Sequence, residues 1–114
     1  MRDREDKLLT DILLAIDLIE SFMKDSESFE LYCADAKTKS AVERQLGIIG
    51  EAVNLFQKLP PTTPLDSASQ IISLRNRIIH AYDAVDNNII WAIVKRHLPV
   101  LKAEASIRLS SGKV

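Results

Sequence analysis

Apolar side chains recur every three or four residues along most of this 114-residue chain. In the first such segment, from about Asp3 to Lys24, they are Leu8, Ile12, Ala15, Ile16, Ile19 and Met23. In the second, from about Ala36 to Lys58, they are Val42, Leu46, Ile49, Val53 and Phe56. This spacing is typical of amphipathic α-helices, and no segment shows the alternation of a β-strand. The pattern therefore predicts two long helices.

Prolines mark the clearest break in the helical pattern. The segment Pro60–Pro64 contains three of the four prolines in the chain. Proline lacks an amide hydrogen and disfavours helix at the residue before it. Beyond this break a third helix is predicted from about Ala68 to Tyr82, with Ser67 or Ser69 as its N-cap.

The remaining segments complete a helical protein. Asp86 is a candidate N-cap for a fourth helix, and Pro99 is compatible with the first turn of a final helical segment that runs to about Leu109. The apolar positions of the fourth helix are Ile89, Ile90, Ile93, Val94 and Leu98. Residues 25–35 are less regular, and their candidate packing residues are Phe29, Leu31 and Tyr32. We predict an all-α fold, an antiparallel four- to five-helix bundle that forms one domain over residues 1–114.

Composition and charge limit the classes of function. The net charge of −1 and the isoelectric point near 6.1 argue against a surface that coats nucleic acid broadly, although a small basic site remains compatible with them. Cys33 is the only cysteine, so no internal disulfide can form. No apolar segment approaches the ~20 residues that span a bilayer. We expect a cytoplasmic protein without a membrane segment.

The segment from Arg75 to Tyr82 concentrates reactive side chains in an otherwise apolar helix. It holds two arginines, one of the two histidines and one of the two tyrosines of the chain. The arginine guanidinium is a planar cation that suits phosphate oxygens, and histidine exchanges protons near neutral pH. Together these groups are compatible with phosphate-ester chemistry that needs no metal.

Helical geometry does not place all of these side chains together. Asn76 and His80 are four residues apart and share a face, whereas Arg75 and His80 diverge by roughly 140°. A shared site therefore requires either a bend near His80 or a second copy of the helix across a two-fold interface.

Structural roles are an alternative for each of these residues. Arg75 could cover core surface and pair with a carboxylate, His80 could be a polar residue near a helix end, and Tyr82 could be a packing aromatic. His97 follows two basic residues near a helix end, where such residues are favoured.

The other candidate sites carry weaker signals. Cys33 is expected to be a small buried residue, and the two histidines and one cysteine lack the spacing of a metal site. Gly47 and Gly50 lie three residues apart in the second predicted helix. They are expected to allow close helix packing, with a ligand approach as the alternative.

The segment Arg75-Asn76-(three residues)-His80-Ala81-Tyr82 resembles the Arg-x4-His-x-Tyr signature of HepT-like toxins, a branch of the HEPN superfamily. The resemblance extends over roughly residues 8–102. Residues 43–52 are similar to the second-helix segment of that family, and residues 74–80, 85–86, 90–93 and 98–101 follow in matching order.

The resemblance implies an all-α homodimer with metal-independent endoribonuclease activity and no cofactor. Arg75 and His80 match the catalytic pair, and Asn76 matches a supporting polar residue. Tyr82 matches the tyrosine that an MntA-type nucleotidyltransferase antitoxin modifies with AMP. Gly47 departs from the acidic residue that many relatives carry, and the resemblance assigns no role to Glu51.

We therefore expect the toxin of a type VII toxin–antitoxin pair, an endoribonuclease that cleaves cellular RNA. AMPylation of Tyr82 by the partner nucleotidyltransferase would neutralise it. The alternative is a non-catalytic HEPN binding module that docks a nucleotidyltransferase and helps to bind nucleotide or substrate.

Overall fold

The computed structural model describes residues 3–59, 65–80 and 86–111. Over these residues the chain is helical, without a β-strand, as the hydrophobic pattern predicts. A π-helical turn, Ile93–His97, lies between the last two helices. The α-helices are α1 (Asp3–Met23), α2 (Phe29–Ala34), α3 (Ala36–Gln57), α4 (Ala68–His80), α5 (Asn87–Ala92) and α6 (Leu98–Ser111).

The predicted helix boundaries agree closely with the structure for the long helices. The predicted ends of α1 and α3 are each within one residue of those observed. The third predicted helix corresponds to α4, and its expected end at Tyr82 lies outside the described residues. The expected irregular segment differs, because it contains the short helix α2, which Ser28 caps by accepting a hydrogen bond from Leu31 N–H at 3.1 Å.

The fourth predicted helix and the final helical segment form one rod with a π-helical turn in it. Pro99 has no amide hydrogen to donate to the carbonyl four residues earlier, so the regular ladder is interrupted there. Leu98 N–H instead donates to the Ile93 carbonyl, five residues back. Asp86 caps the rod as predicted, accepting a hydrogen bond from Asn88 N–H at 2.8 Å. With this rod counted as one helix, the described residues form five helices, which confirms the expected bundle of four to five.

The core lies where α3 packs on α1 and on α4, and where α6 packs on α1. Its largest fully buried side chains include Tyr32 and Phe56, so Tyr32 is a packing residue as expected. Phe29 packs edge-on against Trp91, with ring centroids 5.6 Å apart. Leu31 does not anchor this segment, because it is 54% exposed.

The two glycines of α3 behave differently. At Gly50 a β-carbon would collide with the Cβ of Arg75, so glycine allows α3 and α4 to approach closely. At Gly47 a β-carbon would meet no atom within 4 Å, so close packing does not explain this glycine. The close contact at Gly50 therefore sets the distance between α3 and α4.

α3 and α4 run antiparallel. Gly50 lies against Ile71 and Arg75, whereas Gln57, farther along α3, shares a groove with Ser69 near the start of α4. Within residues 3–59, 65–80 and 86–111, none of the helices is both long and apolar enough to cross a membrane.

Candidate active site on helix α4

Two grooves flank α4, and the reactive side chains of this helix are distributed between them. The first, which we name the mixed-charge groove, has a volume of about 540 Å³ and lies between α1, α3 and α4. Its charged lining residues are Asp11, Glu43, Arg44, Glu51 and Arg75, and its apolar ones are Leu8, Ile48, Ala52, Leu55, Ile78 and Ile79. The second, which we name the basic groove, has a volume of about 710 Å³. It is lined by Gln57, Ser69, Ile72, Ser73, Asn76, Arg77 and His80.

Arg75 is the most constrained polar side chain of α4. Its Nη2 forms an ion pair with the Glu51 carboxylate of α3, and its Nη1 donates to Asn76 Oδ1 at 2.9 Å. Its Nε is buried and has no hydrogen-bond partner among the described residues. The side chain as a whole is 23% exposed. Two partners therefore fix the guanidinium in one orientation at the edge of the mixed-charge groove.

His80 occupies the opposite side of the helix. It is exposed at the last described residue of α4 and lines the basic groove with Asn76. α4 remains α-helical from Ala68 to His80, and Arg75 lines the other groove. The structure therefore does not bring Arg75 and His80 into one groove of a single chain. Asn76 is the connection between them, because it lines the basic groove and accepts a hydrogen bond from Arg75.

Of the two tyrosines in the chain, the structure describes Tyr32 but not Tyr82. Tyr82, the expected AMP acceptor, lies outside the described residues. Tyr32 is completely buried, and its hydroxyl has no hydrogen-bond partner among the described residues. Burial raises the pKa of the Tyr32 phenol well above its ordinary value, with the nearby Glu43 carboxylate adding to the effect.

The electrostatics of the mixed-charge groove differ from those of the basic groove. Burial raises the pKa of Glu43 above its ordinary value, and the positive charge of Lys39 opposes this shift in part. Asp11 is paired with Lys7 at 2.8 Å. Three carboxylates and two arginines line this groove, whereas the described lining of the basic groove has no carboxylate. An anionic ligand is therefore less favoured in the mixed-charge groove than in the basic groove.

The weaker candidates do not join this site. His97 Nδ1 lies 3.1 Å from the Ser67 hydroxyl, a hydrogen bond that links the π-helical turn to the start of α4. Ser67 directly precedes α4, and its carbonyl accepts from Ile71 N–H.

Cys33 is half-buried, and the Asn87 amide donates to its Sγ at 3.6 Å. Within the described part of the chain no three His, Cys, Asp or Glu side chains are grouped as metal ligands.

Sequence reasoning missed two features of the site. Glu51 had no assigned role, although it holds Arg75 across a separation of 24 residues. Arg77 had no assigned role either, although it is exposed and lines the basic groove. The sequence signal that could have identified Glu51 is its position directly after Gly50, the glycine at the close contact between α3 and α4.

The fold and the site together define a small helical domain with an ordered arginine and an exposed histidine on one central helix. The chain belongs to the HepT-like ribonuclease family of the HEPN superfamily, because the family model described as "Ribonuclease HepT-like" matches residues 12–107.

Individual relatives agree with this assignment. The chain is 41% identical over 100 residues to "Probable ribonuclease HepT" of Thermococcus cleftensis, covering 84% of this chain and 87% of that protein. It is 35% identical over 103 residues to "Putative RNase MJ1380" of Methanocaldococcus jannaschii, covering 87% and 91%. No solved structure gives a significant match.

Proposed function

We propose that this protein is the toxin ribonuclease of a toxin–antitoxin pair and that Arg75 and His80 perform the cleavage. The observation that carries the proposal is the arrangement on α4. One helix presents a guanidinium fixed by Glu51 and Asn76 together with an exposed imidazole one to two turns away. The family assignment supports the reaction class.

The proposed reaction is an internal transfer within RNA. The 2′-oxygen of the substrate forms a bond to the adjacent phosphorus, the bond from phosphorus to the 5′-oxygen breaks, and a cyclic phosphate remains. His80 accepts the proton of the 2′-hydroxyl and delivers it to the departing 5′-oxygen. Arg75 stabilises the charge that develops on the phosphoryl oxygens, and Asn76 holds the guanidinium in position.

The separation of Arg75 and His80 leads us to propose a homodimer with a composite site. A second copy packed around the C-terminal end of α4, where Ile79 is 52% exposed beside the exposed His80, would adjoin both grooves at once. Two-fold symmetry places equivalent helices opposite each other, so Arg75 of one protomer can approach His80 of its partner.

We further propose control by a nucleotidyltransferase antitoxin that transfers AMP to Tyr82. The phosphate of AMP would bring negative charge two residues from His80 and compete with RNA for the catalytic cation. The burial of Tyr32 supports this choice, because the only other tyrosine is closed to a modifying enzyme.

The direct test is incubation of the purified protein with total RNA, with wild type beside His80→Ala. Wild type should cleave the RNA and leave cyclic phosphate ends, and His80→Ala should be inactive while circular dichroism shows unchanged helix content. Full cleavage by folded His80→Ala would remove histidine from the mechanism.

The second candidate is a binding module without catalytic activity. Its support is the position of Arg75 and His80 in different grooves of one chain, since each could then bind ligand separately. Expression in cells separates the two functions, because only a ribonuclease toxin would inhibit growth in a way that His80→Ala abolishes.

A further inference from the structure

We propose that the basic groove is the channel that holds the RNA chain and that Arg77 binds a phosphate in it, next to the phosphate that is cleaved. This inference rests on the proposed ribonuclease function and adds to it the path of the substrate and a binding residue.

The lining of the basic groove favours a polyanion. Its basic side chains are Arg77 and His80, and none of its seven described lining residues is acidic. The mixed-charge groove has three carboxylates and two arginines in its lining. In a chain of net charge −1, a groove whose described lining residues include no carboxylate is a local departure from the overall composition. A phosphate chain is therefore repelled less in the basic groove.

Arg77 is available to a ligand. It is exposed, and no described residue forms an ion pair with its guanidinium, in contrast to Arg75, which Glu51 and Asn76 hold. Arg77 and His80 are three residues apart, so their side chains are neighbours on the helix surface. A phosphate bound to Arg77 would therefore lie beside the group that reacts at His80.

The remaining lining residues extend the channel along α4. From Ser69 to His80 the helix axis advances about 16 Å at the rise of an α-helix. Ser73 lies one turn before Arg77 on the same face and offers a hydroxyl, and Gln57 of α3 offers an amide near the far end. These neutral groups suit sugar hydroxyls and phosphate oxygens, while Ile72 supplies an apolar surface for a base. A single strand with accessible bases is the form of RNA that such a surface favours.

The test measures RNA binding apart from cleavage. The probe is a fluorescently labelled single-stranded RNA, and its affinity is measured by anisotropy in an inactive His80→Ala background with and without Arg77→Ala. The matched control is Arg96→Ala, which removes an exposed arginine from the π-helical turn, outside both grooves. Steady-state cleavage is then measured for Arg77→Ala with His80 intact.

Arg77→Ala should weaken binding and raise KM about tenfold with a smaller change in kcat, because the lost contact is a charge-assisted phosphate contact. The slope of log affinity against log salt should fall by about 0.7, the value for one contact on a single strand. Arg96→Ala should change neither quantity.

Equal effects of Arg77→Ala and Arg96→Ala on binding would overturn the assignment of the channel while leaving the ribonuclease proposal standing. Unchanged RNA affinity of Arg77→Ala together with lost binding of a protein partner would overturn it as well. A wild-type protein that neither binds nor cleaves RNA would contradict the proposed function itself.

Discussion

At the scale of single residues, the ion pair between Glu51 and Arg75 determines how the guanidinium is presented. Glu51→Gln keeps an acceptor oxygen and removes the negative charge, so Arg75 should lose its fixed orientation. We expect kcat to fall about tenfold, since misplacement of a catalytic group is costly. Stability should change by less than about 1 kcal/mol, because Glu51 is 46% exposed.

The matched control for Glu51→Gln is Glu20→Gln. Glu20 pairs with Lys102 at 2.8 Å on the surface between α1 and α6, away from α4. Cleavage rates and thermal unfolding of both variants are to be compared. A similar loss of kcat in both would show that Glu51 has no specific effect on Arg75.

Tyr82 is the residue on which the proposed control depends. Tyr82→Phe keeps the ring and removes the acceptor oxygen, so the variant should remain toxic and resist the catalytic activity of the antitoxin. Intact-mass spectrometry after incubation with the nucleotidyltransferase and ATP should show added AMP on wild type only. Modification that maps to Tyr32, or persists in Tyr82→Phe, would contradict the assignment.

At the scale of helices, the contact between α3 and α4 depends on Gly50. Gly50→Ala places a methyl group against the Cβ of Arg75, and overpacking of this kind costs about 1–3 kcal/mol. Because the helix that moves carries Arg75, cleavage should fall as well. Urea denaturation measures the change in the free energy of unfolding.

Gly47 on the same helix provides the internal control for this contact. Gly47→Ala meets no atom within 4 Å, and alanine is favoured over glycine inside a helix by about 1 kcal/mol. Gly47→Ala should therefore be as stable as wild type or more so. Equal stability of the two alanine variants would show that α3 and α4 do not approach each other at Gly50 as closely as described.

The long helices could be predicted from the sequence because their apolar spacing is a local property. The ends of α1 and α3 were therefore predicted to within one residue. The short helix α2 was missed, because its six residues depend on the Ser28 cap and on the burial of Tyr32 against distant elements. The π-helical turn was missed because it reflects the effect of Pro99 on a backbone ladder, which side-chain periodicity does not record.

The candidate site could be predicted only in part. The divergence of Arg75 from Asn76 and His80 follows from helix geometry, and the structure places them in the two grooves accordingly. The partner of Arg75 could not be predicted, because Glu51 lies 24 residues away and meets it only through the packing of α3 on α4. The same holds for Ser67 and His97, which are 30 residues apart.

At the scale of the whole molecule, the proposed composite site predicts complementation between two inactive variants. Arg75→Ala and His80→Ala should each be inactive as homodimers. After mixing and exchange of subunits, heterodimers would retain one site with both groups intact, and about a quarter of wild-type activity should return. RNA cleavage by the mixture measures this, and light scattering must show twice the monomer mass of 12.8 kDa.

Complementation has a clear opposite outcome. If both groups acted within one chain, every site in the mixture would lack one of them, and no activity would return. A strictly monomeric protein that cleaves RNA would lead to the same conclusion.

The placement of Arg75 and His80 in different grooves also bears on how the rate of RNA cleavage depends on the amount of protein in the cell. If the reaction needs two chains, a newly made chain is harmless until it meets another. Below the dissociation constant of the pair, the rate of RNA damage rises with the square of the chain concentration. A cell that makes the protein slowly would then tolerate it, and a burst of synthesis would cross a threshold. A dilution series of the purified protein should show this quadratic rise, whereas a site complete in one chain would give a linear one.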